Sequence, residues 1–310
     1  MKIMFMGTPE ISATCLAKLL ADGHDVVAVV TREDKPRGRG NVMTPTEVKK
    51  LALEAGIPVY TPTTLRDEGF MEILNTHAPE LIAVVAYGKI LPKSVLDYPK
   101  YGCINLHVSL LPKYRGAAPM QRAIMEGESE TGVTIMYMAE GLDTGDIITA
   151  ERFPISESDD FEAIHDRSAE IGGALLSKTI FDMEKGLTTR TPQDDALASY
   201  AAKIEKSDCK INFNLPAEKV SRIIRGVTPI PGAFAYHNGK MLKLSGVVAT
   251  RGVGAPGEVI ELSDKGEGYI VIACATGAIR VGTVIPEGKG RMSAGDFIRG
   301  RKIQKGDLLG

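Results

Sequence analysis

The 310-residue chain contains no tryptophan, few aromatic residues, only four cysteines and no apolar run long enough to span a membrane. The cysteines are Cys15, Cys103, Cys209 and Cys274. They form no Cys-x-x-Cys pair and no Cys/His cluster, so the sequence supports neither a disulfide framework nor a zinc site. The apolar residues 2–6 are interrupted at once by Gly7-Thr8-Pro9 and are too short for a signal peptide. These absences predict a cytoplasmic protein that needs no metal.

The sequence also lacks the glycine fingerprint of dinucleotide-binding enzymes. Gly7 is the only glycine at the place where a G-x-G-x-x-G motif would follow the first strand. Pyrophosphate binding, and with it a nicotinamide-dependent oxidoreductase, is therefore disfavoured. Gly7-Thr8-Pro9 is typical of a tight strand-to-helix turn, and a backbone contact to a substrate is the alternative.

Charge is nearly balanced over the whole chain, at −2, but not along it. Residues 1–207 carry 22 Lys and Arg against 30 Asp and Glu, whereas residues 208–310 carry 15 against 9. A basic C-terminal module favours a polyanionic partner such as RNA, although an ordinary basic surface gives the same count.

The first half of the chain alternates strand and helix patterns. The apolar runs 26–30 and 81–86 are typical of strands buried on both faces, as in a parallel sheet. Thr44-Pro45-Thr46-Glu47 indicates a capping box before an amphipathic helix. A hairpin is predicted over residues 133–149 and a long helix over residues 161–183. This order predicts a doubly wound, Rossmann-like α/β sheet, in which ligands bind at the carboxyl ends of the strands.

The C-terminal third has a different pattern. Short apolar runs separated by glycines predict a small antiparallel barrel there, with strands near residues 241–244, 257–260, 268–273 and 278–281. The polar stretch before it reads as a linker. The predicted domain organisation is therefore residues 1–190, a linker over 191–207 and a C-terminal domain over 208–310.

Asn105, His107 and Asp143 are the candidate catalytic residues. Side chains at i and i+2 of a strand share a face, so Asn105 and His107 project together, and Asp143 lies at the tip of the predicted hairpin. A carboxamide, an imidazole and a carboxylate supply an oxyanion donor, a proton shuttle and an orienting acid, the parts needed for acyl transfer. A hydrogen-bonded structural histidine is the alternative for His107, and the neighbouring Asp146 reads as a turn-capping carboxylate.

Residues 105–119, NLHVSLLPKYRGAAP, together with residues 141–146, GLDTGD, resemble the folate-dependent formyltransferases. The similarity runs from the first strand to the C-terminal region, and the run 111–119 is typical of the branch that acts on tRNA. The resemblance implies a formyltransferase domain followed by an OB-like barrel that contacts tRNA. It also implies transfer of the formyl group of 10-formyltetrahydrofolate, a consumed co-substrate, to the amino group of initiator methionyl-tRNA.

The resemblance also assigns roles to residues. Asn105 and His107 stabilise the formyl oxygen, and Asp143 orients the imidazole. Residues expected to line the folate pocket are Ala86, Tyr87, Gly88, Ile90, Ser109, Leu110, Leu111 and Pro112. Residues expected to contact tRNA are Arg37, Arg39, Lys113 and Arg115. In the family, the basic loop around Arg39 enters the acceptor-stem end of tRNA; a solvated surface is the alternative for this loop and for residues 113–115.

Other functions stay open. A sugar-amine or glycinamide-ribonucleotide formyltransferase, or a formyltetrahydrofolate hydrolase, shares the Asn, His and Asp set, but the basic C-terminal module and the insertion after Thr31 argue against them. A non-catalytic RNA-binding protein leaves that set without a purpose. One departure from the family is the VTPIP run at residues 227–231, where relatives carry aromatic residues, which puts a stacking role of that segment in question.

Overall fold

The computed structural model describes residues 1–37 and 40–310. Two compact units divide the chain. The first comprises Met1–Gly116, Gly132–Phe153 and His165–Tyr200. The second comprises Ala117–Thr131, Pro154–Ile164 and Ala201–Gly310. The chain therefore passes between the units several times, and the polar residues 191–200, predicted as part of a linker, belong to the first unit.

Strands and helices follow one another as the sequence pattern predicted. The strands are β1 (Lys2–Gly7), β2 (Asp25–Val30), β3 (Lys35–Arg37), β4 (Val42–Thr44), β5 (Val59–Tyr60), β6 (Leu81–Val85), β7 (Cys103–His107), β8 (Arg115–Gly116), β9 (Glu130–Tyr137), β10 (Ile147–Pro154), β11 (Tyr200–Ala201), β12 (Phe234–His237), β13 (Lys240–Thr250), β14 (Val259–Ser263), β15 (Tyr269–Ala273), β16 (Ala278–Pro286) and β17 (Met292–Ser293). The α-helices are α1 (Glu10–Ala21), α2 (Glu47–Glu54), α3 (Glu68–His77), α4 (Lys93–Leu96), α5 (Pro119–Glu126), α6 (Phe161–Glu184), α7 (Ala217–Gly226) and α8 (Ala294–Arg299).

A seven-stranded sheet of order β10-β9-β7-β6-β1-β2-β5 forms the centre of the first unit. Its core is parallel, since β1 pairs with β2 and β6, β2 with β5, and β6 with β7. β9 runs antiparallel to β7, so the sheet as a whole is mixed. All five residues of β6 are buried, as expected of a strand covered on both faces. The predicted Rossmann-like sheet is confirmed.

The start of α2 differs slightly from its prediction. The helix is capped by Thr46, whose hydroxyl oxygen accepts the Lys49 backbone N–H at 3.1 Å. Thr44, the first residue of the predicted capping box, instead ends β4. The cap moves because either threonine offers the same hydroxyl acceptor, and only the path of the chain decides which one reaches the helix amides.

An antiparallel sheet of order β12-β13-β16-β15-β14, with β17 paired to β16, organises the second unit. Its inner face and the apolar side of α7 bury a common core that includes Ile224 and Leu244. The last residues of the chain pair with both edges of this sheet: Leu309 bridges to His237 of β12, and Leu308 to Glu258 next to β14. Backbone hydrogen bonds of the C-terminal segment therefore satisfy groups that two open edges would expose.

Within the described part of the chain, none of the helices combines the length and the apolar composition needed to cross a lipid bilayer.

Two leucines of the second unit provide a test of its core. Leu244 is 1% exposed and Leu308 is 62% exposed. We expect Leu244→Ala to lower the free energy of unfolding by about 2–5 kcal/mol, because the substitution leaves a cavity among packed side chains. The matched change Leu308→Ala is expected to stay within about 0.5 kcal/mol. Urea denaturation followed by circular dichroism measures both, and equal effects would contradict the described core.

Candidate active site

β7 presents two of the candidate residues at the carboxyl end of the sheet. Asn105 is the one partly exposed residue of this strand, and His107 is its last residue. Asn105 pairs with Val84 of β6, and His107 with Thr134 of β9. Because they are two positions apart on one strand, Asn105 and His107 share a face of the sheet.

The His107 imidazole is buried between two oxygen atoms. Its Nε2 lies 2.9 Å from the Tyr114 carbonyl oxygen, and its Nδ1 lies 3.7 Å from Asp143 Oδ2. Since a carbonyl only accepts hydrogen bonds, Nε2 must carry a proton. With Nε2 protonated, Nδ1 carries a proton only when the ring is an imidazolium. The 3.7 Å separation is longer than a direct hydrogen bond, so an atom of water or substrate can bridge the two groups.

Asp143 lies in the connection between β9 and β10 and adopts a left-handed backbone conformation, with φ of 52°. Aspartate tolerates this region better than most residues. Its Oδ2 accepts the Gly116 backbone N–H at 2.8 Å. Its own carbonyl oxygen accepts the Gln193 Nε2–H at 2.8 Å. Both the side chain and the backbone of Asp143 are therefore held.

The rest of this connection is restrained as well. Gly145 leaves no room for a side chain, because a Cβ there would lie 1.8 Å from the Tyr137 carbonyl oxygen. Asp146 forms an ion pair with Arg190, whose Nε lies 3.1 Å from Asp146 Oδ2. Asp146 thus has a structural partner of its own, which is an arginine side chain and not the turn amide implied by the predicted capping role.

Arg115 differs from its prediction as an RNA contact. The side chain is 2% exposed, and its Nε and Nη2 donate to Gln193 Oε1 at 3.1 and 2.9 Å. Nη2 also donates to Asp195 Oδ1 at 2.8 Å. A phosphate would have to displace these partners, because a buried guanidinium needs its hydrogen bonds satisfied within the protein.

The loop after β6 holds four of the residues predicted to line the folate pocket, and these four differ in exposure. Ala86 and Gly88 are exposed, and Ile90 is 81% exposed. The Tyr87 ring is buried in the core instead, where its hydroxyl has no hydrogen-bond partner among the described residues and burial raises its pKa to about 12. The Tyr87 carbonyl faces the sheet edge and accepts from Thr8 Oγ1 and Arg32 Nε.

Ser109, Leu110, Leu111 and Pro112 follow β7 and are largely packed into the first unit. Ser109 is fully buried, and its hydroxyl donates to the Lys113 carbonyl oxygen at 2.7 Å. Thr134 Oγ1 donates to the Ser109 carbonyl and accepts the Leu111 N–H. Leu110 and Pro112 are partly exposed. This turn therefore has a fixed backbone with two side chains available at its surface.

The remaining RNA-contact predictions fall on exposed or undescribed positions. Lys113 is exposed. Arg39 lies outside the described residues, and so does the side chain of Arg37, whose backbone forms part of β3. The structure therefore does not bring the predicted RNA contacts together as a described cluster.

A cleft of about 390 Å³ opens beside the predicted folate loop. It is lined by Arg66, Ile90, Leu91, Pro92, Lys93 and Glu140. Ile90 is the predicted pocket residue that contributes to it. The lining combines apolar atoms with charges of both signs.

Neither a metal site nor a reactive thiol adds to this region. No group of three or more His, Cys, Asp or Glu side chains among residues 1–37 and 40–310 is arranged to hold a metal ion. All four cysteines are free and buried. Burial raises the pKa of Cys103, two residues before Asn105, to about 12. That thiol is protonated near neutral pH and is a poor nucleophile.

Sequence reasoning missed Gln193 and Thr134. Gln193 contacts residues 48, 50 and 78 positions away in the chain, and it lies in a polar stretch that looked like a linker. Thr134 was assigned only to a strand. A polar residue whose partners are this distant carries no local sequence signal, although the register of β9 against β7 places Thr134 opposite His107 once the sheet is known.

Two family models match the chain: "Formyl transferase" over residues 1–180 and "Formyl transferase, C-terminal domain" over residues 203–302. The chain is 46% identical over 310 residues to a methionyl-tRNA formyltransferase of Geotalea uraniireducens, with 100% of this chain and 98% of the relative covered. It is 44% identical over 312 residues to the methionyl-tRNA formyltransferase of Moorella thermoacetica, with coverages of 100% and 99%.

Solved structures of lower identity share the fold. A sugar 3N-formyl transferase, WlaRD, superposes with a TM-score of 0.67 at 21% identity, covering 94% of this chain and 99% of that one. HypX from Aquifex aeolicus superposes with a TM-score of 0.68 at 20% identity, covering 98% of this chain and 48% of that one. At these identities the comparison establishes a common architecture.

The buried cysteines yield a prediction. With pKa values of about 12 for Cys15 and Cys103, almost no thiolate exists at pH 8, so the native protein is expected to resist an aromatic disulfide reagent. After unfolding in guanidinium, all four thiols should react. Absorbance of the released thiolate measures both states. Rapid modification of native Cys103 would instead make this thiol a candidate member of the site.

Proposed function

The chain belongs to the formyl transferase family, and from this membership we propose that it transfers the formyl group of 10-formyltetrahydrofolate to the α-amino group of initiator methionyl-tRNA. The product is formylmethionyl-tRNA for translation initiation. The observation that carries this proposal is the full-length match to curated methionyl-tRNA formyltransferases, because it spans the catalytic and the C-terminal family domains together.

We assign the chemistry to Asn105, His107 and Asp143. Attack of the neutral methionyl amine on the formyl carbon places negative charge on the formyl oxygen. The Asn105 carboxamide and the His107 ring donate hydrogen bonds to that oxygen. The assignment of Nδ1 to the substrate is supported by the geometry, since Nε2 is already bound to the Tyr114 carbonyl.

Asp143 has two tasks in this scheme. Its carboxylate lies 3.7 Å from Nδ1 and orients the imidazole, and it accepts the proton of the attacking amine through a bridging water. When the bond between the formyl carbon and the folate nitrogen breaks, His107 or that water returns a proton to the leaving nitrogen. One C–N bond forms and one breaks, and the proton that the amine loses is balanced by the one that folate gains.

We propose that folate is a consumed co-substrate bound beside the edge loops. Exposed Ala86, Gly88 and Ile90 offer backbone groups and an apolar surface to the pterin. Leu110 and Pro112 form the opposite wall, Ser109 and Leu111 fix the backbone of that turn from within, and the Tyr87 ring supports the facing loop from the core.

RNA contacts are proposed for Arg37, Arg39 and Lys113, and the burial of Arg115 makes it a support for the site. We further propose that the second sheet is an OB-like barrel that contacts tRNA. This is supported by the pairing of the C-terminal residues with both sheet edges and by the basic balance of residues 208–310.

The domain organisation stays a proposal: a catalytic domain over residues 1–190, a linker over 191–207 whose first ten residues pack with the first unit, and a tRNA-binding domain over 208–310. A reaction on charged tRNA is proposed to take place in the cytoplasm, where translation begins.

The proposed reaction is tested directly by incubation with 10-formyltetrahydrofolate and methionyl-tRNA. We expect formylation of initiator methionyl-tRNA, measured as formylmethionine released by alkaline hydrolysis. Elongator methionyl-tRNA is the control and is expected to react more slowly. Formylation of neither tRNA would overturn the proposal, and release of formate from folate alone would assign a hydrolase.

The catalytic assignment is tested with His107→Ala and Asp143→Asn. His107→Ala is expected to lower kcat by about two to three orders of magnitude, as loss of an oxyanion-hole donor does. Asp143→Asn is expected to lower kcat by about two to four orders of magnitude, because it removes the base that accepts the amine proton. Both variants should remain folded by circular dichroism. His107→Ala is expected to lower the melting temperature moderately, because the buried ring and its hydrogen bond to the Tyr114 carbonyl are lost, whereas Asp143→Asn preserves an oxygen that can accept the Gly116 amide. Global unfolding of either variant would support a structural role for the histidine instead.

A further inference from the structure

We propose that Gln193 is a positioning residue that holds the Asp143 loop in its reactive geometry, with buried Arg115 fixing the orientation of the Gln193 amide. This inference rests on the proposed function, in which Asp143 is the catalytic carboxylate. Gln193 lies within the polar stretch after α6 and touches no reacting atom in this scheme.

The Gln193 amide uses all of its hydrogen-bonding capacity within the first unit. Nε2 donates to the carbonyl oxygens of Asp143 and Gly145, at 2.8 and 2.7 Å. Oε1 accepts from Nε and Nη2 of Arg115, at 3.1 and 2.9 Å. Two donors and two acceptor positions are the whole inventory of a carboxamide, so each has a defined partner.

Arg115 allows one orientation of this amide. A guanidinium has only donors, so it requires the oxygen of the amide and repels its NH₂ group. Arg115 is 2% exposed and cannot turn towards solvent without leaving its site. The NH₂ group of Gln193 is consequently directed to the Asp143 loop.

The loop needs such a restraint because residues 138–146 belong to no helix or strand that would fix their backbone. Asp143 has φ of 52°, a region that side-chain-bearing residues adopt rarely. The two carbonyl groups bound by Gln193 belong to Asp143 and Gly145, the residues on either side of Thr144. With these carbonyls fixed, Asp143 Oδ2 is held 2.8 Å from the Gly116 amide and 3.7 Å from His107. Without Gln193, the carboxylate loses its defined place beside the imidazole.

An isosteric substitution separates the two sides of the amide. Gln193→Glu preserves the oxygen that accepts from Arg115 but places a second oxygen against the Asp143 and Gly145 carbonyls, so the loop loses its donors. We expect kcat for formyl transfer to fall by about 10- to 100-fold, since displacement of a catalytic group by about 1 Å costs this much. KM for both substrates should stay within about twofold, because Gln193 contacts neither.

A second variant and a matched control accompany it. Gln193→Met has similar length and no hydrogen bonds, adds no charge, and is expected to lower kcat to the same extent. Asn75→Asp is the control, because it makes the same amide-to-acid change at an exposed position of α3. It preserves the oxygen that accepts from the Tyr98 hydroxyl. The control is expected to retain wild-type kcat and KM.

A measurement independent of activity tests the geometry itself. Gly116 donates its backbone N–H to Asp143 Oδ2, so hydrogen exchange of this amide reports whether the carboxylate is in place. We expect exchange at Gly116 to accelerate at least about tenfold in Gln193→Glu and Gln193→Met, and to stay unchanged in Asn75→Asp.

The outcomes distinguish this inference from the proposed function. Wild-type kcat together with unchanged Gly116 exchange in both Gln193 variants would overturn the positioning role while leaving formyl transfer intact. A change in the KM of either substrate, with kcat preserved, would also overturn it. If the wild-type protein formylates nothing, the proposed function fails, and Gly116 exchange still decides whether Gln193 holds the Asp143 loop.

Discussion

The Asp143 carboxylate accepts the Gly116 amide at 2.8 Å and lies 3.7 Å from the His107 ring, and the chemistry proposed for the site depends on both distances. The group that carries it lies in a connection between strands, where backbone position is ordinarily variable. Here two distant parts of the first unit fix it, the turn at Gly116 and the segment at Gln193, beside the end of β7. Convergence of this kind gives a loop residue the precision of one on a rigid element.

The parallel sheet supplies the frame for this convergence. The carboxyl ends of β1, β6 and β7 lie side by side, where Gly7 pairs with Val85 and Val85 with Leu106. The backbone carbonyls at these ends are bound by side chains, as in the donation of Ser12 Oγ to the Val85 carbonyl at 2.6 Å. Such hydrogen bonds from side chains restrain the backbone at the carboxyl ends of these strands.

Arg115 illustrates how tertiary context changes the role of a charged side chain. In the sequence it stands beside Lys113 and Tyr114 in a run typical of a surface loop that meets an anion. In the folded chain its guanidinium is buried against the neutral oxygen of Gln193 and the exposed carboxylate of Asp195. A buried charge persists only when its donors are satisfied, and these partners come from a segment about 80 residues away. The same segment, taken for a linker from its composition, is thereby part of the site.

The sequence by itself determined the alternating α/β order, the buried strands and the antiparallel C-terminal sheet. It also determined that Asn105 and His107 share one face of their strand. These features follow from side-chain periodicity over a few residues. The motifs at residues 105–119 and 141–146 also identified the family from the sequence. Tertiary structure alone decided that Tyr87 is buried, that Arg115 is internal, and that Gln193 anchors the Asp143 loop. Each of these depends on contacts between residues far apart in the chain, and local propensity carries no information about such contacts until the strands are in register.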